Sequence, residues 1–117
     1  MDRSQTGAAG EDVAADYLRS LGWTVVERNW RCPAGELDIV ARTGQTLVFC
    51  EVKTRRGTGF CSPLEAITAR KLRKLRELSV LWLREHRVCP ARVRIDGIGV
   101  VWRLREPAQI IHRKGIG

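Results

Sequence analysis

The chain has 117 residues, of which 44% are hydrophobic and 29% are charged, and its formal net charge is +8. This length predicts a single domain over residues 1–117 with a core of its own. It contains no apolar run near the roughly 20 residues that a membrane helix needs. Because the N-terminus also lacks the apolar segment of a signal peptide, we expect a cytoplasmic protein with no membrane partner.

The charge is unevenly distributed along the chain. Residues 1–53 carry six basic and eight acidic residues, a net charge of −2, whereas residues 54–117 carry fifteen and five, a net charge of +10. A strongly basic surface favours polyanions such as nucleic acid, although a high pI alone is weak evidence for such a partner.

The cysteine spacing argues against a zinc site. None of the four cysteines forms a C-x-x-C pair. Because we expect a cytoplasmic protein, we also expect the four thiols to be reduced. They are Cys32, Cys50, Cys61 and Cys89.

The first predicted element is a helix over residues 7–21, where apolar residues recur at helical spacing. Gly22 fits the left-handed position that commonly ends a helix. Glu11 lies in the first turns, where it either complements the helix dipole or points to a functional site. Residues 1–6 are expected to fray.

A strand is predicted over residues 23–31 and a β-hairpin over residues 35–53, because apolar and polar residues alternate on both sides of Thr-Gly-Gln-Thr. Gly44 and Gln45 suit a type II′ turn, and the turn sets the register of the strands. One face of this hairpin is then apolar and should pack under the first helix. Its members are Leu37, Ile39, Ala41, Val48, Cys50 and Val52.

The opposite face of the hairpin carries the candidate site. The register places Asp38 opposite Glu51, and the next rung places Glu36 opposite Lys53. Opposed Cβ atoms lie about 4.5–5.5 Å apart, so two carboxylates there repel unless solvent, a raised pKa or a cation compensates. Mg²⁺ binds such oxygens together with waters and phosphates. A solvated face, with Glu36 and Lys53 as an ordinary ion pair, is the alternative.

Residues 54–61 are predicted to form a basic loop, whose arginines either contact phosphates or are ordinary surface residues. Ser62, Pro63 and Glu65 predict a helix start, and residues 69–85 a long helix with an apolar stripe. The basic residues of its first turns form either a solvated face or a patch that follows a nucleic-acid backbone. The candidate nucleic-acid contacts are Arg55, Arg56, Arg70, Lys71, Arg73 and Lys74.

The last third of the chain predicts two strands. Residues 91–98 alternate, which places Val93 and Ile95 inward and Asp96 outward, and the strand can continue to Trp102. Residues 110–111 predict a short edge strand. Residues 113–117 are expected to fray.

Three local motifs resemble the YraN family of small, largely uncharacterised bacterial proteins. They are Gly10-Glu11-Asp12, Gly35-Glu36-Leu37-Asp38 and Phe49-Cys50-Glu51-Val52-Lys53-Thr54-Arg55. That family looks like a branch of the PD-(D/E)xK nuclease superfamily and is similar to archaeal Holliday junction resolvases. Asp38 follows a leucine in place of the proline of the superfamily's name, a departure common among divergent members.

The resemblance implies an α/β/α sandwich around a mixed central sheet, the restriction-endonuclease-like fold. It implies that Asp38 and Glu51 are metal ligands and that Glu11 completes the acidic cluster, with Glu36 a weaker candidate. Lys53 would orient or polarise the attacking water. The implied function is a Mg²⁺- or Mn²⁺-dependent endonuclease acting on DNA, with branched DNA as the substrate by analogy.

Two other functions remain open on the sequence. A non-catalytic nucleic-acid-binding module that retains the nuclease fold would bind independently of metal and of Glu51. An interaction protein whose basic face docks an acidic partner is a further alternative, which competition by duplex DNA in a binding assay would separate from the other two. A homodimer is also open, since symmetric cleavage of two strands calls for two sites.

Overall fold

The computed structural model describes residues 3–57, 59 and 61–117, and of Arg3 and Ser4 it describes the backbone alone. Its elements in chain order are α1 (Arg3–Ser20), β1 (Thr24–Cys32), β2 (Gly35–Thr43), β3 (Thr46–Arg56), a 3-10 turn (Pro63–Ala66), α2 (Ala69–His86), β4 (Arg92–Trp102) and β5 (Gln109–Arg113). None of the helices in this part of the chain is both long and apolar enough to cross a membrane.

The strands form one mixed sheet in the order β1-β2-β3-β4-β5. Neighbouring strands are antiparallel except β3 and β4, which are parallel and stay paired from Thr46–Arg92 to Arg56–Trp102. Parallel neighbours need a crossover connection, which α2 supplies. Since α1 packs on one face of the sheet and α2 on the other, the predicted α/β/α sandwich with a mixed central sheet is confirmed.

Each face of the sheet has its own buried core. The core under α1 contains Ala14, Ala15, Leu18, Ile39, Ala41, Val48, Cys50, Ile98 and Val100. The core under α2 contains Trp30, Leu37, Val40, Leu47, Phe49, Leu75, Leu78, Trp82 and Ile95. The apolar stripe predicted for the long helix therefore faces the sheet, and Cys50 lies in the core as predicted. All four cysteines are free thiols.

The hairpin has the predicted register near its turn. Ala41 pairs with Val48, and Ile39 pairs with Cys50. Gly44 has a φ of 58°, which the first central position of a type II′ turn requires and which glycine adopts without strain.

The predicted register is wrong toward the open end of the hairpin. Leu37 was expected to share a face with Ile39, but it packs under α2 whereas Ile39 packs under α1. On the neighbouring β1, the register with β2 shifts between Val25 and Glu27, and Asn29 has a left-handed φ of 54°. In addition, a side-chain oxygen of Asp38, not a β2 carbonyl, accepts the hydrogen bond from the Val52 N–H at 2.9 Å. The predicted pairing of Leu37 with Val52 is therefore absent.

The connection after β3 differs from the prediction. Residues 54–56 belong to β3 and not to the loop, and Thr58 and Phe60 of the predicted loop lie outside the described residues. The Ser62 hydroxyl accepts a hydrogen bond from the Leu64 N–H as expected, but it caps only a 3-10 turn. Thr68 then caps α2 by accepting a hydrogen bond from the Lys71 N–H.

Both ends of the domain are more ordered than predicted. α1 begins at Arg3, so residues 3–6 are helical, while residues 1–2 lie outside the described part of the chain. At the other end, the Ile116 N–H donates to the Ile95 carbonyl at 2.8 Å. This hydrogen bond anchors the tail that was expected to fray.

The predicted orientations of Asp96 and Val93 are wrong. Asp96 is fully buried, and Val93 is 46% exposed near the start of β4. Burial of the Asp96 carboxylate is possible because it accepts hydrogen bonds from Arg94, from His112 and from the Gly115 N–H. Two of these three partners follow β4 in the chain.

Candidate active site

A cleft of about 1080 Å³ lies between the first half of α1 and the irregular end of the hairpin. Its lining includes Glu11, Glu36, Asp38 and Lys53, which the three motifs predicted to act together. Glu51 is 5% exposed and does not line the cleft. It lies in the sheet beside Asp38.

Glycine at position 10 lets α1 lie directly on β3. A Cβ atom built on Gly10 would collide with the side-chain oxygen of Thr54. Because the helix approaches the strand this closely, the next residue, Glu11, is held at the edge of the cleft. The first motif thus has a packing role as well as an acidic one.

Arg28 holds the acidic residues of α1 against β1. Its Nε donates to Glu11 Oε1 at 3.0 Å, and its Nη2 donates to Asp12 Oδ1 at 2.6 Å. Burial raises the pKa of Glu11, the charges of Asp38 and Glu36 raise it further, and Arg28 partly opposes them. Glu11 therefore senses the other carboxylates of the cleft, as the predicted acidic cluster requires.

The carboxylates of Asp38 and Glu51 lie close enough to interact, but they are not the directly opposed pair that the hairpin predicted, because the ladder of β2 and β3 ends at Ile39 and Cys50. Burial is the main cause that raises the pKa of Glu51 to about 7, followed by the charge of Asp38 and a hydrogen bond with it. Lys71 and Lys53 oppose this shift through their positive charges. The pair therefore combines repulsion between like charges with a buried site, where compensation by a cation is effective.

The two lysines reach Glu51 from different elements. Lys53 is on β3, two residues beyond Glu51, and lines the cleft. Lys71 is in the first turn of α2, and its Nζ lies 3.3 Å from Glu51 Oε2. The sequence offered Lys71 as a phosphate contact; the structure places its ammonium against the buried carboxylate.

The other predicted nucleic-acid contacts fall into two groups. Arg55 and Arg56 line the cleft, and Arg55 also donates hydrogen bonds to the carbonyls of Gly59 and Cys61. The remaining group is on α2, where Arg70 and Arg73 are exposed and Lys74 pairs with Glu77 at 3.1 Å. The α2 residues do not line the cleft.

The donor set of the site suits a hard divalent cation in its chemistry. Asp38 and Glu51 offer carboxylate oxygens, and Mg²⁺ typically takes one or two carboxylates with waters and phosphate oxygens. Among the described residues, no three His, Cys, Asp or Glu side chains are grouped to hold a metal by themselves. One oxygen of Asp38 accepts the Val52 N–H, and one of Glu51 faces Lys71.

Sequence reasoning missed Arg28, and it missed the contact between Lys71 and Glu51. Arg28 lies in a strand whose sequence pattern does not distinguish it from other exposed residues. Only the predicted packing of α1 on the hairpin could have indicated that it contacts the acidic residues. Nothing local distinguishes Lys71 from the four other basic residues among positions 70–76. Both contacts depend on how the helices dock.

Comparison with known proteins identifies relatives over nearly the whole chain. The model of the uncharacterised protein family UPF0102 matches residues 10–100. A UPF0102 protein of Acidothermus cellulolyticus is 57% identical over 94 residues, which cover 80% of this chain and 68% of the relative. One of Beutenbergia cavernae is 51% identical over 111 residues, which cover 95% of this chain and 94% of the relative. Among solved structures, Archaeoglobus fulgidus Hjc, a Holliday junction resolvase, matches 90% of this chain and 75% of its own at 20% identity and a TM-score of 0.45.

Proposed function

The chain belongs to the uncharacterised protein family UPF0102, and from the chemistry of its cleft we propose that it is a metal-dependent endonuclease that hydrolyses DNA phosphodiesters. UPF0102 is the YraN family, so the resemblance predicted from the sequence is confirmed. The observation that carries the proposal is the meeting of Asp38 and Glu51 beside Lys53, at the side of an open cleft.

Four residues in or beside the cleft have a role in this proposal. Asp38 and Glu51 would hold Mg²⁺ or Mn²⁺, and Glu11 would complete the acidic cluster around them. When bound, the cation would lower the pKa of a coordinated water and offset the charge on the phosphate oxygens. Lys53 would supply a fixed positive charge beside the nucleophile and the phosphate.

Hydrolysis in this cleft would form one P–O bond and break another. One P–O bond forms from a water oxygen while the P–O bond to a sugar oxygen breaks, and the leaving oxygen takes up the proton that the water gives up. The ammonium of Lys53 can stabilise charge in this step but cannot itself accept a proton. The proton must therefore leave through solvent or through a carboxylate of the cluster.

Positive charge beside the cleft supports DNA as the ligand. Arg55 and Arg56 lie at the cleft, and residues 54–117 carry a net charge of +10. Each phosphate that is neutralised releases counterions, so we expect affinity to fall steeply as salt rises. Branched DNA is the substrate we propose, and a homodimer would provide two sites for two strands.

The test is cleavage of duplex, single-stranded and four-way-junction DNA with Mg²⁺, with Mn²⁺ or with EDTA. We expect cleavage with metal that is lost in EDTA and in Lys53→Ala, and that persists in Lys114→Ala, a lysine of the C-terminal tail. Intact DNA in every lane of wild type would reject the enzyme. Equal cleavage by wild type and Lys53→Ala would assign the activity to another site or protein.

A non-catalytic nucleic-acid-binding module is the second candidate. The contact between Lys71 and Glu51 favours it, because the ammonium already compensates part of the negative charge of the carboxylate that a metal would need. This candidate expects DNA binding that is unaffected by EDTA and by Glu51→Ala. Measuring the affinity of wild type and variant by fluorescence anisotropy, beside the cleavage assay, separates the two.

A further inference from the structure

The turn between β4 and β5, residues 103–108, presents an apolar side chain between two arginines. Leu104 is 88% exposed, whereas no other large exposed hydrophobic residue of the described chain exceeds 46%. Arg103 and Arg105 flank it in sequence, and Arg105 has a left-handed φ of 62°. A leucine this exposed buries almost no apolar surface and so does not stabilise the core.

A hollow of about 560 Å³ lies against this turn. Its walls are Arg56, Gly57, Trp102, Arg103, Leu104 and Arg105. Arg56 also lines the cleft that holds Lys53, so the two depressions share a wall. The Gly57 N–H donates to the Trp102 carbonyl at 2.9 Å, which joins the end of β3 to the end of β4 at this point.

The side chains of this turn match the chemistry of DNA. Guanidinium groups pair with phosphates, and apolar or aromatic groups contact the faces of bases. The turn contains one carboxylate, Glu106, against the two arginines, so its balance is basic. The Arg103 guanidinium donates to Gln109 Oε1 at 2.8 Å, which holds it beside the strand.

An apolar side chain flanked by basic ones is also the arrangement with which some proteins open a base step. Leucine is among the residues that are inserted between bases while arginines hold the neighbouring backbone. Opening is easiest where stacking or pairing is already interrupted, as at a branch point. A turn that projects from the end of a sheet can reach such a step without movement of the domain.

We propose that the β4–β5 turn is a second DNA-binding subsite, in which Leu104 inserts at an interrupted base step while Arg103 and Arg105 hold the flanking phosphates. The proposal rests on the proposed function only in taking DNA as the ligand, because it requires neither metal nor cleavage. The family model matches residues 10–100, and this turn lies beyond the matched segment.

The test uses a four-way DNA junction with 2-aminopurine at the branch point and the full chain in EDTA. Insertion of Leu104 unstacks the probe, so we expect wild type to raise its fluorescence and Leu104→Ala to leave it unchanged. The affinity of Leu104→Ala, from fluorescence anisotropy, should fall roughly fivefold. Leu21→Ala, which shortens another exposed leucine, should match wild type in both measurements.

The arginines are tested through salt dependence. Arg103→Ala and Arg105→Ala should each lower the slope of log affinity against log salt by about one. Circular dichroism verifies that the variants are folded. Equal fluorescence for wild type and Leu104→Ala would overturn the proposal, as would failure of wild type to bind the junction.

The outcome also separates this subsite from the nuclease. If the proposal is correct, Lys53→Ala at a concentration that saturates the junction still raises 2-aminopurine fluorescence, whether or not any DNA is cut. A Leu104-dependent rise without cleavage by wild type in Mg²⁺ would reject the nuclease and keep the subsite. Cleavage by wild type without such a rise would do the reverse.

Discussion

The ammonium of Lys71 on α2 lies 3.3 Å from Glu51 Oε2, so a helix side chain reaches a carboxylate that the sheet buries to 5% exposure. Lys71 does not fully compensate the carboxylate, because burial and Asp38 still raise the pKa of Glu51 to about 7. The site is therefore short of positive charge in the absence of a metal.

Glu51→Gln should stabilise the metal-free protein in a pH-dependent way. Burial, together with Asp38, raises the pKa of Glu51 from 4.5 to about 7. Between these two pH values Glu51 is therefore protonated in the folded state and ionised in the unfolded state. Wild type should then lose about 3 kcal/mol of unfolding free energy as pH rises through this window, and no more above it. Glu51→Gln should lack this loss.

Urea unfolding in EDTA at pH 5 and pH 8 measures the effect. Glu65→Gln, an exposed glutamate of the 3-10 turn, is the matched control and should follow wild type. A variant whose stability falls with pH as steeply as wild type's would mean that Glu51 is not the titrating group.

Divalent cations should stabilise the folded protein through Asp38. At a Mg²⁺ or Mn²⁺ concentration 100 times the dissociation constant, binding to the folded state alone adds about 2.7 kcal/mol. Asp38→Asn should remove most of the rise in melting temperature, while Asp16→Asn, an exposed aspartate of α1, should keep it. A calorimetric titration measures the affinity directly, and equal heats for wild type and Asp38→Asn would refute the ligand assignment.

Gly10→Ala should destabilise the fold although alanine favours helices. The added methyl group collides with the side chain of Thr54, and overpacking of this kind typically costs about 1–3 kcal/mol. Gly7→Ala, in the same helix with nothing within 4 Å of the new atom, should be neutral or stabilising by up to about 1 kcal/mol.

A double-mutant cycle verifies the cause of the Gly10→Ala effect. Replacing Thr54 by glycine removes the colliding atoms, so Gly10→Ala should cost less in the Thr54→Gly background than in wild type. Additive losses in urea unfolding would show that the two residues do not contact each other.

Asp96→Asn should destabilise the protein at neutral pH by about 2–4 kcal/mol, because it leaves the buried partners of the carboxylate without its charge. Burial alone would raise the pKa of Asp96, but hydrogen bonds from Arg94, His112 and the Gly115 N–H outweigh burial and lower it. Stability from Asp96 is thus complete above its unfolded pKa of 3.8 and is lost as pH falls through the folded value.

Acid unfolding followed by circular dichroism measures this contribution. The difference between wild type and Asp96→Asn should shrink as pH falls below about 4. Asp16→Asn is the control and should remain close to wild type throughout. A constant difference down to pH 2 would contradict the role of the ionised carboxylate.

The parts of the fold that sequence predicted well are those that local chemistry determines. The turn at Gly44 sets the pairing of Ala41 with Val48, and an apolar stripe is enough to place α2 on the sheet. The same rules failed beyond Ile39, where the ladder of β2 and β3 ends and a side-chain oxygen of Asp38 accepts the Val52 N–H. This contact has no distinctive local pattern.

Long-range partners explain the remaining failures. Asp96 has the sequence signature of an exposed strand residue, and its burial depends on His112 and Gly115, which are 16 and 19 residues away. The position of Lys71 likewise depends on the docking of α2. The proximity of Asp38 to Glu51 could be predicted because both residues belong to one hairpin.

The pairing of β3 with β4 continues without a break to Arg56 and Trp102, so it fixes the position of the β4–β5 turn relative to Lys53. Strands rise about 3.3 Å per residue, so the three residues from Lys53 to Arg56 span about 10 Å. Stacked bases in duplex DNA rise about 3.4 Å each, so this length equals about three base steps. If Lys53 acts at the cut and Leu104 at the branch, the scissile bond would lie at a constant offset from the branch, whatever the DNA sequence.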